Sequence, residues 1–267
     1  MAVVALVTYF FRTEVNPVTG EKQRIAMSTE QEISLGLQAA PEMAAQMGGV
    51  VDPSDPQAQM VQRIGEKVWQ ASDARCSPYS FDFHLLKDPN TINAFALPGG
   101  QIFITRGLLD KLENEAQLAG VLGHEIGHVI NRHAAEHMAK GQLGQTIAVA
   151  VGVAGSDERG RGMSTALLAQ AVNQMVQLRY GRKDELEADD YGLRYMIQAG
   201  YDPSAMLGVM KVLAQASKGR GGPQFLATHP HPDARIQQIE KFLAEKYPRG
   251  IPEELTLGRS FHLMGVR

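Results

Sequence analysis

The stretch VLGHEIGHVINRH, residues 121–133, constrains this chain more than any other, because it sets three histidines and a glutamate into an otherwise apolar helical pattern. An α-helix turns about 100° per residue. His124 and His128, four residues apart, therefore leave nearly the same face one turn apart, and Glu125 stands between them on the helical wheel. Two imidazoles directed at one metal ion, with a carboxylate beside it, form the H-E-x-x-H arrangement. The competing reading is a core helix whose polar groups are satisfied by hydrogen bonds.

Two histidines are too few for a catalytic zinc site, which usually has three protein ligands and an open position. The chain has a single cysteine, Cys76, so a thiolate cluster and an internal disulfide framework are both excluded. The metzincin continuation of the motif fails as well, since Asn131 stands where its glycine belongs and Ala134 where its third histidine belongs. A carboxylate from a second helix remains. The segment GRKDELEADDYGLRYMIQAG carries Glu185 and Asp189 at i,i+4 spacing, on a helix whose apolar positions mark it as core-packed. One could ligate, and the other could accept the second N–H of a bound imidazole, which fixes its tautomer and orientation.

Around this helix the pattern predicts an α+β chain, mainly helical, with a small antiparallel sheet of about three strands beside the H-E-x-x-H helix. YSFDFHLLK alternates at period two, and TINAFALPGGQIFITRG reads as two strands joined across Pro98-Gly99-Gly100. Helices are predicted from Ser28, with a capping box to Gln31, to about Met47, and over about 57–71, 113–139, 163–180, 183–199, 203–216 and 232–246. In the helix at 113–139, acidic Glu115 suits the positive helix end, and His133 and His137 are read as a solvated or hydrogen-bonded flank. The glycine-rich stretches at 152–162 and 217–223 read as mobile surface loops. Residues 1–56 are expected to form an N-terminal arm and helix packed on a single globular unit over residues 57–267.

Charge excludes one class of partner. With 26 Lys and Arg against 29 Asp and Glu, and no basic block, nothing here would neutralise a nucleic-acid backbone. The opening run MAVVALVTYF is too short to cross a bilayer. It reads as a strand, as the remnant of a signal or anchor, or as an amphipathic arm; the strand is preferred, while the second reading would keep the protein near a membrane.

LAGVLGHEIGHVINRH, RKDELEADDYG and THPHPDARI, in that order, resemble the HtpX/BepA-type gluzincin metallopeptidases, the group that also contains the CAAX prenyl proteases. The likeness extends upstream through NAFALPGGQIFITRGLL to NPVTGEKQRIAMSTEQE and covers about residues 16–240. It is nearest to the bacterial periplasmic branch. The resemblance implies a zincin fold, one Zn2+ per chain held by His124, His128 and Glu185, Glu125 as general base, and Asp189 supporting a ligand. It implies a catalytic role for His229, chosen over His231 on the T-H-P match, as oxyanion donor or as a plug in the fourth zinc position. Arg235 is expected to anchor that segment through a carboxylate. Asn93 and Ala94 would contact an extended polypeptide substrate along an edge strand, and Phe95 is read as core. The implied activity is a zinc-dependent endopeptidase acting on extended or misfolded polypeptides in the bacterial cell envelope. A latent peptide-binding or chaperone module with a blocked zinc site is the alternative, and the oligomeric state is not encoded legibly.

Overall fold

In a computed structural model of the protein, the described residues are 13–25, 27–140, 172, 175, 178–217, 223–230 and 232–261. The strand at the start of the chain, most of the helix at 163–180, the loop at 152–162, the centre of the 217–223 loop and His231 lie outside them.

The described residues begin with a two-stranded ribbon, β1 (Thr13–Val15) against β2 (Lys22–Arg24), which the polar, turn-rich composition of this stretch did not signal. Helix α1 (Thr29–Gln46) follows, opened by the reciprocal Ser28–Gln31 capping box. Helix α2 (Pro56–Ala71) starts at Asp55, whose side chain accepts from the amides of Gln57 and Ala58. Its Val61, Ile64 and Val68 are fully buried.

The three-stranded sheet is present in the order β3 (Asp82–Leu86), β5 (Gln101–Thr105), β4 (Ala94–Ala96). β4 and β5 form the antiparallel hairpin expected across Pro98–Gly100, but β3 runs parallel to β5. Alternation fixes which face of a strand is buried and says nothing about its direction, so the mixed character was not legible. β4 is left on an edge. Its register pairs Ala94 with Ile104 and Ala96 with Ile102, while Thr105 N–H donates to Asn93 O and Leu97 N–H to Gln101 O. Bonding pairs alternate along an antiparallel ladder, so the backbone groups of Ala94 and Ala96 face away from β5.

After the short α3 (Arg106–Leu109), the central helix α4 (Glu115–Ile130) starts at the Asn114 cap and is buried along its whole length. Glu115 does more than complement the helix end: it is buried and paired with Arg63 and Arg259. The single helix expected over 113–139 is divided. Asn131 caps α4, Arg132 adopts φ 56°, and α5 (His133–Lys140) sets off in a new direction.

Helix α6 (Arg182–Gln198) crosses α4 with almost no side chain between the two. A Cβ added at Gly127 would lie 3.0 Å from Ala188 O, and one at Gly192 would lie 3.1 Å from the His124 amide nitrogen. Glycine thus permits a helix approach that brings the acidic face of α6 onto the histidines of α4. Helices α7 (Ala205–Ala216), α8 (Gln224–Thr228) and α9 (Pro232–Lys246) follow among the described residues. No helix among the described residues is long and apolar enough to cross a membrane.

Candidate metal centre

The α4–α6 crossing gathers side chains from distant parts of the sequence into one buried cluster. His124, His128, Glu185 and His229 each offer one donor atom, and the four atoms lie within 4.8 Å of one another. His124 Nε2 is 3.0 Å from His128 Nε2 and 3.8 Å from Glu185 Oε2, and His128 Nε2 is 3.6 Å from Glu185 Oε1. All four residues are 2 % exposed or less.

Burying such groups without partners costs several kcal/mol each, and several of these have none. Both carboxylate oxygens of Glu125 and of Glu185, and Nε2 of His229, lack a hydrogen-bond partner among the described residues. Arg235 Nη1 lies 2.8 Å from Glu185 Oε2, without the alignment of a hydrogen bond. Two lone-pair nitrogens 3.0 Å apart, facing a carboxylate, are the donor set a divalent cation requires, so the residues fit a metal ion.

The electrostatics follow from burial. Burial, reinforced by Arg235, lowers His124 to about 4, and Asp189 only partly opposes it. His128 and His229 are pushed well below the usual imidazole range by burial and neighbouring histidines. All three rings are therefore neutral at pH 7, the form that ligates metals. Burial raises Glu125 to about 8 against the pull of Arg235, and it holds Glu185 well above the carboxylate range. A cation among them inverts the field on both carboxylates. Asp189 is the exception. Burial would raise it, but Arg235 and His124 outweigh that and hold it at about 2.

Asp189 Oδ1 accepts from His124 Nδ1 at 2.8 Å. The carboxylate that Arg235 anchors, which the sequence could not name, is chiefly that of Asp189: Nε and Nη2 donate to its two oxygens, each at 2.7 Å. His229 comes from the segment between α8 and α9. Its ring stacks on Phe225 with centroids 4.3 Å apart, its Nδ1 is 2.8 Å from Thr228 Oγ1, and its Nε2 is 3.7 Å from Glu125 Oε1.

Asn93 and Ala94 lie beside the cluster, on β4 and just before it. Asn93 is buried with its Oδ1 unpartnered, and it lines an apolar cavity with Met43, Met47, Phe95 and His229. One neighbour escaped the sequence reading. Tyr180 stacks on His128 with centroids 4.0 Å apart; its place just before α6 carries no signal of that contact. Of the two readings of His133, solvated or hydrogen-bonded, the second holds: it is 2 % exposed, with Nδ1 2.8 Å from His128 Nδ1. His137 faces Asp184 at 2.8 Å.

The sequence profile of peptidase family M48 matches residues 55–243 of the chain. Over 242 residues the chain is 34% identical to the mitochondrial metalloendopeptidase OMA1 of Schizosaccharomyces pombe, an alignment covering 90% of this chain and 69% of that protein. It is 31% identical over 228 residues to the beta-barrel assembly-enhancing protease of Yersinia pestis, covering 82% of this chain and 45% of the relative. Over 198 residues it is 35% identical to a putative beta-barrel assembly-enhancing protease of Vibrio cholerae, covering 70% and 39%. The chain thus spans less than half the length of these two bacterial relatives.

Proposed function

The chain belongs to peptidase family M48 and is a metalloendopeptidase, and from that premise we propose that His124, His128 and Glu185 hold one zinc ion used to hydrolyse peptide bonds of extended polypeptides. The observation carrying this is the buried convergence of unpartnered donors. Tetrahedral zinc with bonds near 2.0–2.1 Å separates its ligand atoms by about 3.3 Å; here the two imidazole nitrogens stand 3.0 Å apart, and Glu185 presents Oε1 at 3.6 Å to His128 Nε2 and Oε2 at 3.8 Å to His124 Nε2. Zinc, when bound, acidifies water to near neutral pH and polarises a carbonyl.

The chain's own residues do the rest. Glu125, faced by the backbone N–H of Ala96, takes a proton from the attacking water and returns it to the departing amine. Asp189 holds the His124 ring in the tautomer that leaves Nε2 unprotonated, and Arg235 fixes Asp189 in turn. The outward backbone groups of Ala94 and the carbonyl of Ala96 pair with substrate main chain as an added strand, while the Ala96 N–H faces Glu125. Asn93 Oδ1 offers a further acceptor.

His229 acts in two states. With Nδ1 held by Thr228 and Nε2 unpartnered among the metal donors, it plugs the fourth position; displaced, it donates to the oxyanion. The plugged state is what a latent peptide-binding module would also display. The division into an arm over 1–56 and a peptidase unit over 57–267 belongs to this reading, supported by the bonds from Arg132 back to Glu14, Met27 and Glu32. So does a place in a bacterial envelope, near a membrane, supported by the relatives named for β-barrel assembly.

Incubating the zinc-loaded chain with denatured casein tests the activity. New peptide termini are expected from wild type and none from Glu125→Gln, which keeps its zinc. Termini of equal yield from Glu125→Gln would refute the role of Glu125, and bound zinc with captured but uncut casein would leave the latent module.

A further inference from the structure

We infer that His133, backed by Glu187, is a positioning residue that sets the tautomer and aim of His128; the inference rests on His128 being a metal ligand. His128 turns Nε2 toward His124 and Glu185, and its Nδ1 lies 2.8 Å from Nδ1 of His133. Two ring nitrogens at that distance share one proton. A nitrogen that binds a cation must present its lone pair, so the proton of His128 sits on Nδ1 and is donated to His133. His133 Nδ1 accepts, which places its own proton on Nε2, and Nε2 faces Glu187 Oε2 at 3.4 Å. Every proton in the row follows from the first constraint.

The two ligand histidines are therefore held differently. His124 meets a carboxylate directly, whereas His128 reaches one through a second imidazole. The backbone is shaped for that contact. In an unbroken helix a residue five positions on emerges about 140° round the axis, out of reach of His128. The left-handed Arg132, at φ 56°, breaks the helix and turns His133 back. For a residue other than glycine that conformation costs about 1–2 kcal/mol. It is secured by Arg132 donating to Glu32 at 2.9 Å, to Met27 O at 2.9 Å and to Glu14 at 3.1 Å. Glu187 lies two residues from Glu185 on α6, so one helix supplies both the ligand carboxylate and the end of the row.

Chelator competition on the folded protein, together with the visible spectrum of its cobalt(II) form, tests the inference. Losing such a support weakens metal binding by about 10–100-fold, and that loss is expected for His133→Ala. His133→Asn, whose side-chain oxygen can accept from Nδ1–H, should recover most of the affinity and the wild-type cobalt bands. If His133→Ala fails to fold, His133→Phe fills the space without an acceptor and takes its place. Glu187→Gln should retain metal with a smaller loss. Because Glu187 acts only through His133, the double variant His133→Ala/Glu187→Gln should bind no more weakly than His133→Ala. Wild-type affinity in His133→Ala, no recovery in His133→Asn, or losses that multiply in the double variant would overturn the inference. Absence of metal binding in wild type would instead overturn the reading of the site itself.

Discussion

Replacing Arg235 by Met removes the one buried cation that, among the described residues, faces Asp189 and Glu185, and its effect can be worked from the geometry. Arg235 is 1 % exposed, donates two 2.7 Å hydrogen bonds to Asp189, and lies 2.8 Å from Glu185. Breaking a buried pair from one side costs about 3–5 kcal/mol, because the partner charge stays behind. A second route starts from Asp189, which is held at about 2 against a usual 3.8. Each unit is worth about 1.4 kcal/mol, so the depression alone corresponds to between 2 and 3 kcal/mol, roughly. About 3 kcal/mol at pH 7 is the expected loss, read by urea unfolding of the metal-free protein. In wild type the folded pKa of Asp189 is depressed, so its contribution is present above about pH 4 and disappears as pH falls through about 2. In Arg235→Met, only the contact with His124 still opposes burial, so that pKa rises and the stabilisation given by the ionised carboxylate is lost, the more so the higher the pH. The gap between the two proteins should therefore be widest near neutrality and shrink toward pH 4. Arg235→Lys, which keeps the charge and loses the two-pronged contact, should fall between them. A loss below 1 kcal/mol at pH 7, or a gap unchanged between pH 7 and pH 4, would refute the reasoning.

Glu185→Ala should abolish stoichiometric zinc binding; elemental analysis showing one zinc per chain would remove Glu185 from the ligand set. His229→Ala should keep zinc and cleave unfolded casein more slowly, by up to about the 10²–10³-fold that one oxyanion donor is usually worth, because freeing the plugged position does not replace the lost donor. Faster cleavage would make it a plug and not a donor. Gly127→Ala places a Cβ 3.0 Å from Ala188 O and 3.1 Å from Ala188 Cα, so α4 and α6 must part by a few tenths of an ångström. Overpacking at about 1–3 kcal/mol, offset by about 1 kcal/mol of helix propensity, predicts a net loss near 1 kcal/mol in unfolding experiments, with zinc affinity falling in parallel. Unchanged affinity would show that this contact does not set the carboxylates.

The residues of the centre were legible wherever periodicity alone places a side chain. Four-residue spacing put His124 with His128 and Glu185 with Asp189, and those pairs do face one another. The capping box at Ser28 and the turn at Pro98–Gly100 were equally local, and both are found as read. What escaped is held by partners far along the chain. The break at Arg132 has no glycine or proline to announce it, since it is stabilised by Glu32, 100 residues away. His133 was read as a solvated or hydrogen-bonded flank; the hydrogen bond is there, but a continuous helix would not have aimed it at His128. The direction of β3 depends on a strand order that alternation does not encode. The glycines of α4 were visible, but only the crossing with α6 gives them a purpose.

The dependence of Asp189 and Glu185 on Arg235 also has a bearing on synthesis. Ribosomes deliver the chain from its N-terminus, so the helix bearing His124 and His128 emerges first and the acidic helix some sixty residues later. Until α9 follows, two carboxylates one turn apart repel each other with no cation of the chain's own between them. The nascent polypeptide therefore has its histidines long before the acidic face of α6 is settled. A fragment ending before α9 lacks Arg235, and with it the clamp that sets the acidic face of α6.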